Sequence, residues 1–334
     1  MHTYVIMKNP GYTRVSFQDW QKLVVAELTL IGFTEPVQNI RFEEMGGVEY
    51  ILFDHKEAAQ PDEIFLLSRL SFAYAIYEKV GEMLRPIQLD ARYAFNQEIS
   101  SILKYSGKTN ELFTRLMLNL MMRYARHDTS FNVLDPMAGK GTTLYEALMQ
   151  GYNAYGIEID AKMPHESVVY LQKYLESAKH KHSNHAEKIS GTSEFGKFTS
   201  LRSQISLPSQ AFEIINGDAR NAALFYKKNM FRGIVCDLPY GVHHGSKQNT
   251  KKPKNAGMTR NALGLVSESL PGWIKVLQPG GVIVLAWNLF LISREQMIEL
   301  LTQNGLRVPE NISNINFAHK VDQAIDRDLV VGLK

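Results

Sequence analysis

Two segments of the chain combine an apolar strand, an acidic residue at the end of that strand and a tight turn. The first runs from Phe131 to Thr143 and the second from Ile234 to Tyr240. In α/β proteins the loops after parallel strands are where ligands are held. We therefore expect the first segment to hold a cofactor and the second to hold the group that reacts.

The glycine-rich turn of the first segment fits one nucleotide ligand better than two others. A dinucleotide fingerprint needs a third glycine at the position of Leu144. In a P-loop the lysine is followed directly by Ser or Thr, whereas Gly141 separates Lys140 from Thr142. S-adenosylmethionine carries a sulfonium and an ammonium group and no phosphate. An acid at the strand end, here Asp135, suits those cations better than it would suit a pyrophosphate.

Acidic residues follow three successive predicted strands. Asp135 ends the first, and Glu158 ends the second, where a carboxylate can accept both ribose hydroxyls. Asp218 follows the third and could accept the adenine amine. Each acid alone could be a helix cap or a solvated loop residue, but three in this order favour a cofactor site. The other predicted cofactor-binding residues of these loops are Pro136, Met137, Ala138, Gly139, Gly141, Thr142, Ile159 and Ala219.

The second segment has the residues needed to hold an exocyclic amine of a nucleobase for methylation. Asp237 can accept one N–H of the amine, and the Leu238 carbonyl can accept the other. Pro239 stiffens the turn, and Tyr240 can stack on an extruded base. A plain strand-to-turn exit is the structural alternative, since Asp and Pro are common there. Cys236 precedes the Asp, which argues against covalent attack by this thiol and favours a buried strand cysteine.

Strands and helices alternate from residue 110 onward, and this pattern predicts a parallel, doubly wound sheet. The last two strands have no helix between them, which predicts an antiparallel hairpin at the end of the chain. Strands are predicted at 132–134, 154–159, 212–215, 233–236, 282–287, 314–321 and 329–333, and helices at 111–126, 142–150, after Pro164, at 267–276 and at 294–304.

The chain is expected to divide between residues 95 and 100. Residues 1–95 are predicted to form a small α+β domain, with strands at 3–7 and 48–53 and helices at 16–30 and 62–80. This part has no catalytic constellation, so a structural or RNA-docking role is expected for it. Residues 100–334 are expected to form the domain that holds the cofactor.

The second part of the chain resembles RNA-directed amino methyltransferases, in particular the THUMP-associated tRNA guanine-N2 methyltransferases with a UPF0020-type catalytic domain. Residues 135–142 are similar to the Asp-Pro-Phe-Cys-Gly-x-Gly-Thr loop of that family, and residues 237–241 to its Asp-Pro-Pro-Tyr-Gly loop. Residues 104–110 resemble its lead-in segment, which implies that Thr109 helps to cover the cofactor. The resemblance implies a Rossmann-like class I methyltransferase domain with cofactor on Asp135, Glu158 and Asp218 and the base on Asp237 and Tyr240.

Two polar segments could contact nucleic acid or solvent. Residues 241–260 contain no acidic residue and directly follow the predicted catalytic turn, so a phosphate backbone could pass there, although a solvated loop is equally compatible. Residues 176–210 are predicted to be a flexible surface insertion, and their histidines lack the partners for a metal site. The predicted nucleic-acid-binding residues are Lys247, Lys251, Lys252, Lys254 and Arg260.

Composition sets the outer limits. The chain has 334 residues, is 45% hydrophobic and has a formal net charge of only +3. It has one cysteine and no apolar run or leader typical of a membrane or secreted protein, so a cytoplasmic protein without metal or membrane contact is expected.

Together these features predict methylation of an exocyclic amine in structured RNA, with guanine N2 in tRNA as the preferred target. DNA adenine-N6 methylation uses a similar four-residue loop and stays open. A cofactor-binding RNA module without turnover stays open as well.

Overall fold

A computed structural model describes residues 1–12, 19–100, 108–125, 131–240 and 262–334. It contains a five-stranded sheet built from the first part of the chain and a nine-stranded sheet built from the second. The mixed α/β architecture confirms the predicted fold class: a Rossmann-like domain with a terminal antiparallel hairpin, and a smaller α+β region before it.

The first sheet is wholly antiparallel, with the order β2-β3-β1-β4-β5. The order of its first four strands and the two helices between them are those of a split βαβ unit. Tyr4 stacks on Phe53 with ring centroids 5.2 Å apart, on the face that the helices cover. The elements are β1 (His2–Lys8), α1 (Trp20–Leu30), β2 (Gln38–Met45), β3 (Val48–His55), α2 (Pro61–Ser68), β4 (Ala73–Val80) and β5 (Met83–Pro86).

The predicted helix at 62–80 is wrong. Helix α2 ends at Ser68, whose hydroxyl donates to the Ile64 carbonyl, and the chain then turns into strand β4. Half of the residues of β4 are aromatic or β-branched, and the strand pairs with β1, Val5 lying opposite Tyr77. Apolar residues at helical spacing continued across the turn, but pairing with the free side of β1 decides the structure.

The second sheet has the order β13-β14-β12-β11-β6-β7-β10-β9-β8. Strands β12, β11, β6, β7 and β10 are parallel, and the strands at both edges are antiparallel. The elements are α3 (Glu111–Ala125), β6 (Asn132–Asp135), α4 (Thr142–Met149), β7 (Asn153–Glu158), α5 (Lys162–Ser177), β8 (Ser183–Ser193), β9 (Gly196–Ser206), β10 (Ala211–Asn216), α6 (Ala222–Phe225), β11 (Phe231–Asp237), α7 (Ala262–Val276), β12 (Leu277–Asn288), α8 (Arg294–Gln303), α9 (Glu310–Ser313), β13 (His319–Asp322) and β14 (Ile325–Leu333).

The prediction of a flexible insertion at 176–210 is also wrong, because β8 and β9 form a long hairpin that extends the sheet. Its backbone is paired along its length, and Phe198 packs edge-on against Phe225 at 5.4 Å. The Arg202 guanidinium donates to the Phe225 carbonyl at 2.7 Å. The sequence did not predict these strands because both faces of the outer strand, β8, are exposed and its side chains are polar.

The predicted terminal hairpin is confirmed, with different bounds. Strand β13 is shorter than predicted because a turn and an irregular segment after α9 occupy residues 314–318. Strand β14 begins four residues earlier than predicted, which brings Arg327 into the paired strand opposite Asn288.

The two sheets share a continuous apolar core in which α3 contacts α1 and the strands of the second sheet. The Asn119 amide on α3 donates to the Glu27 carboxylate on α1 at 2.7 Å. The Arg69 guanidinium donates to the Gln150 carbonyl at 2.8 Å. Among the described residues, no helix is long and apolar enough to cross a membrane.

Candidate active site

Two adjoining cavities lie at the carboxyl ends of the parallel strands, where the sequence places the site. The first has a volume of about 570 Å³ and the second about 420 Å³. Both are within the size of ordinary small-molecule sites. Met137, Glu158, Leu238 and Pro239 line both cavities. A single extended ligand could therefore occupy the first cavity and reach into the second.

The first cavity has mostly apolar walls with acids at one side. Leu265 and Val266 of α7 lie across from the loops that follow β6 and β7. Ile159 is 55% exposed, which leaves an apolar surface available to a flat ring. Of the predicted cofactor residues, the lining includes Pro136, Met137, Glu158, Ile159, Asp218 and Ala219.

The second cavity has an acidic floor. Asp135, Glu158 and Asp237 all line it. Burial raises the pKa of Asp135 to about 7, and repulsion from Asp237 and Glu158 acts in the same direction. Burial also raises the pKa of Glu158. A cationic ligand would relieve this repulsion. Predicted cofactor residues that line it are Thr109, Asp135, Met137, Ala138, Gly139, Thr142 and Glu158.

The glycine turn is fixed by its own hydrogen bonds. The Gly139 N–H donates to Glu158 Oε2 at 2.9 Å, and the Asp160 N–H donates to Oε1 at 2.9 Å. Glu158 is thereby oriented across the entrance of the turn. Gly141 lines neither cavity but adopts φ +92°, and a Cβ there would lie 2.8 Å from Ser167 Oγ. Its role is to start α4 at the next residue.

Asp218 is engaged with its own turn. It caps the short helix that follows by accepting the Arg220 N–H at 2.9 Å, and it pairs with the Arg220 guanidinium at 2.7 Å. Arg220 also donates to Glu268 at 2.8 Å. Contact between Asp218 and an adenine amine therefore stays a prediction.

The second loop closes the second cavity. The Leu238 N–H donates to the Ala286 carbonyl at 2.8 Å, which ties the loop to the neighbouring strand. Thr109 Oγ1 donates to Asp237 Oδ2 at 2.5 Å, and the Tyr240 hydroxyl donates to Oδ1. Asp237, Leu238, Pro239 and Tyr240 all line the cavity. Cys236 is fully buried, and burial raises its pKa well above the ordinary thiol value, which does not suit a nucleophile.

Several lining residues were not predicted from the sequence. Leu265 and Val266 carry no motif and resemble ordinary helix positions. Arg327 carried a usable signal, because it has the same strand parity as Leu329 and Val331 and yet is charged. The residues Lys247, Lys251, Lys252, Lys254 and Arg260 lie outside the described residues. Within the described ranges, no group of three metal-ligating side chains is found.

The α/β fold and the acidic site beside an apolar cavity suit a methyltransferase that uses S-adenosylmethionine. Residues 115–259 match the model of the UPF0020 family, described as an RMKL-like methyltransferase domain. This match confirms the resemblance to a UPF0020-type catalytic domain and shows that the matched segment is a methyltransferase domain. The apolar cavity suits the adenosine of S-adenosylmethionine, and the acidic cavity beside it suits the charged groups of the same molecule. A comparison with curated proteins found no match.

Solved structures with similar folds include several methyltransferases. TrmN from Thermus thermophilus is 13% identical, with full coverage of both chains and a TM-score of 0.43. The precorrin-6y C5,15-methyltransferase from Geobacter metallireducens is 13% identical over 73% of this chain and 95% of its own, with a TM-score of 0.39. An rRNA methylase from Streptococcus thermophilus is 12% identical over 62% of this chain and 88% of its own, with a TM-score of 0.34.

Proposed function

We propose that the protein methylates the exocyclic N2 of guanine in a structured RNA, and that this RNA is a tRNA. The observation that carries the proposal is the position of the Asp237–Tyr240 loop at the cavity next to the cofactor cavity. A hydrogen-bond acceptor and an aromatic ring at that point suit a flat base that carries an amine.

The loop residues would hold the amine rather than exchange protons with it. Asp237 accepts one N–H and the Leu238 carbonyl accepts the other, which favours a pyramidal nitrogen aimed at the cofactor. Bound S-adenosylmethionine supplies an electrophilic methyl group. Tyr240 offers its ring to the face of the base. Pro239 is exposed and keeps the turn stiff.

The distribution of charge supports RNA contact through the second part of the chain. Residues 1–95 have nine Lys and Arg against thirteen Asp and Glu, a formal charge of −4. The remaining residues have 28 against 21, a formal charge of +7. We therefore propose two domains, 1–95 and 100–334, with the phosphate backbone contacting mainly the second, including Lys251, Lys252 and Lys254.

The test offers labelled S-adenosylmethionine and equal amounts of tRNA, ribosomal RNA and duplex DNA to the full chain. We expect label in tRNA, recovered as N2-methylguanosine by mass spectrometry of nucleosides. Label recovered as N6-methyladenine in DNA alone would replace this proposal with the rival one. No label in any acceptor, with intact cofactor binding, would favour a binding module without turnover.

The Asp237→Asn variant tests the assigned loop. It keeps the shape of the side chain but weakens it as an acceptor, so methyl transfer should fall by at least about a hundredfold. Cofactor affinity should stay within about twofold, measured by calorimetry. Asp326→Asn is the matched control, since Asp326 is an acid at the second residue of β14, and this variant should keep its activity. Transfer by Asp237→Asn at the wild-type rate would remove this loop from the chemistry.

A further inference from the structure

We infer that Arg327 is a positioning residue that holds both ends of the base-binding loop, an inference that rests on the proposed function. Arg327 lies on β14, and only 4% of it is exposed. It lines the second cavity together with Asp237 and Tyr240, although 87 residues separate it from Tyr240.

The contacts of Arg327 are with the two loop residues that would touch the base. Its Nη2 lies 3.7 Å from Asp237 Oδ2. Its guanidinium carbon lies 5.1 Å from the centre of the Tyr240 ring and 4.4 Å from the centre of the Phe113 ring. The guanidinium is therefore held between an aromatic ring of α3 and the aromatic ring of the loop.

A second arginine at the same end of the sheet shows what a structural arginine looks like in this protein. Arg294 donates to both oxygens of Asp328 at 2.7 and 2.8 Å and to the carbonyls of Ile312 and Ile315 at 2.7 and 3.0 Å. Arg327, in contrast, has a buried Nε without a hydrogen-bond partner. Among the described residues, its one ion pair within 4 Å is with Asp237.

Burying a cation is costly unless it is paired and hydrogen-bonded. Partial satisfaction of a buried arginine is therefore poor design for stability alone. The arrangement is explained if the Arg327 cation attracts the Asp237 carboxylate electrostatically while hydrogen-bonding sites on that carboxylate stay available to a ligand. Thr109 and Tyr240 each donate to one Asp237 oxygen, which leaves a lone pair on each oxygen for the target amine.

Asp237 and Tyr240, the two ends of the four-residue loop, thus both contact the same residue of β14, Arg327. The charge of Arg327 attracts Asp237, and its face attracts the Tyr240 ring. Loss of the guanidinium should let both side chains turn away from the position that a base needs. An error of about 1 Å in such a site can cost about a hundredfold in rate. Cofactor binding should change little, because the contacts of Arg327 are with Asp237, Tyr240 and Phe113, which are not among the predicted cofactor-binding residues.

The test compares Arg327→Met and Arg327→Lys with the wild type in the full chain. We expect kcat/KM for the RNA acceptor to fall about a hundredfold in Arg327→Met, with the main loss in kcat. Arg327→Lys keeps the charge but lacks the planar face, so its kcat/KM should lie between those of the wild type and Arg327→Met. The affinity for S-adenosylmethionine, measured by calorimetry, should stay within about twofold in both variants.

Arg294→Met is the matched control, since Arg294 also contacts β14 but pairs with Asp328 on that strand. It should lower the melting temperature and leave kcat/KM of the folded enzyme unchanged. Wild-type kcat/KM in Arg327→Met would overturn the inference. If Arg327→Met does not fold, wild-type kcat/KM in Arg327→Lys would overturn it.

A crystal structure of Arg327→Met, or of Arg327→Lys if only that variant folds, separates this inference from the proposed function. We expect Asp237 and Tyr240 to leave their wild-type positions while the sheet is unchanged. If both side chains stay in place, Arg327 does not position them, whatever the enzyme methylates. If the wild type methylates no acceptor while the side chains do move in the variant, the proposed function fails and the positioning role stands.

Discussion

Asp135 shows how a single buried acid can report on its ligand. It is 3% exposed, accepts the Met137 N–H at 3.0 Å, and has a pKa of about 7 because burial and the nearby Asp237 and Glu158 disfavour its charge. A positively charged ligand in the second cavity would bind the ionised form better than the neutral form. Its affinity should therefore depend on pH near neutrality.

We predict that binding of S-adenosylmethionine weakens as pH falls from 7.5 to 5.5. The raised pKa means that Asp135 is ionised above about pH 7 and gains a proton below it. The affinity for S-adenosylmethionine should therefore fall on the order of tenfold. Calorimetry across this range measures it. The pKa of Glu158 is raised too, so Glu158→Gln is the control and should keep the slope, whereas Asp135→Asn should flatten it. A flat wild-type profile would show that Asp135 does not face the cation.

The residues of the site differ in how far the sequence could predict them. Asp237 lies at a strand end and was predicted from local pattern and chemistry. Arg327 contacts Asp237 from a strand that follows much later. Its charge in an apolar strand was a usable signal, but the local pattern does not show which residue it faces. Asp218 was placed at the correct strand end, but its pairing with Arg220 depends on the turn that follows, which the sequence motif does not define.

At the scale of elements, the glycine turn between β6 and α4, called the cofactor turn below, depends on close packing between α4 and β7. Gly156 is the residue of β7 that allows it. A Cβ at this position would lie 2.8 Å from Leu144 Cδ1 and 2.9 Å from Ala138 Cβ. The turn around Ala138 therefore lies directly on the strand, and its N–H donates to the Ile157 carbonyl at 2.9 Å.

We predict that Gly156→Ala pushes the cofactor turn away from the sheet. The free energy of unfolding should fall by about 1–3 kcal/mol, as expected for overpacking. Affinity for S-adenosylmethionine should fall as well. Gly332→Ala is the control, because the nearest atom to its Cβ would be Leu306 Cδ1 at 3.3 Å. This position is far from the turn. Denaturant unfolding and calorimetry measure both effects, and unchanged affinity in Gly156→Ala would contradict the packing argument.

The elements that the sequence predicted well are those whose pattern matches their environment. Strands β6, β7, β10 and β11 are buried on both faces and appear as short apolar runs before turns. Strand β8 is mostly exposed, β9 is partly buried, and both are largely polar, so their pairing is visible only in three dimensions. Strand β4 carries apolar residues that suit a helix equally well, and its pairing with β1 decides between the two.

At the scale of the whole molecule, buried polar contacts fasten the first sheet to the second. Arg69 is 4% exposed and donates to the carbonyls of Gln150 and Ala91 at 2.8 and 3.1 Å. Its guanidinium also lies 4.6 Å from the centre of the Phe65 ring. Together with the Glu27–Asn119 contact and the continuous core, this predicts that the two sheets unfold as one cooperative unit.

We predict a single calorimetric transition for the wild type, which saturating S-adenosylmethionine shifts upward as a whole. Arg69→Met leaves the Gln150 and Ala91 carbonyls without their donor, at a cost of about 1–3 kcal/mol, concentrated at the junction. The variant should show two transitions, of which the cofactor raises only the one that belongs to the second sheet. Arg92→Met is the matched control, since Arg92 is an exposed arginine paired with Asp90, and it should keep one transition. Two transitions in the wild type, with one shifted by cofactor, would show that the junction does not couple the two sheets.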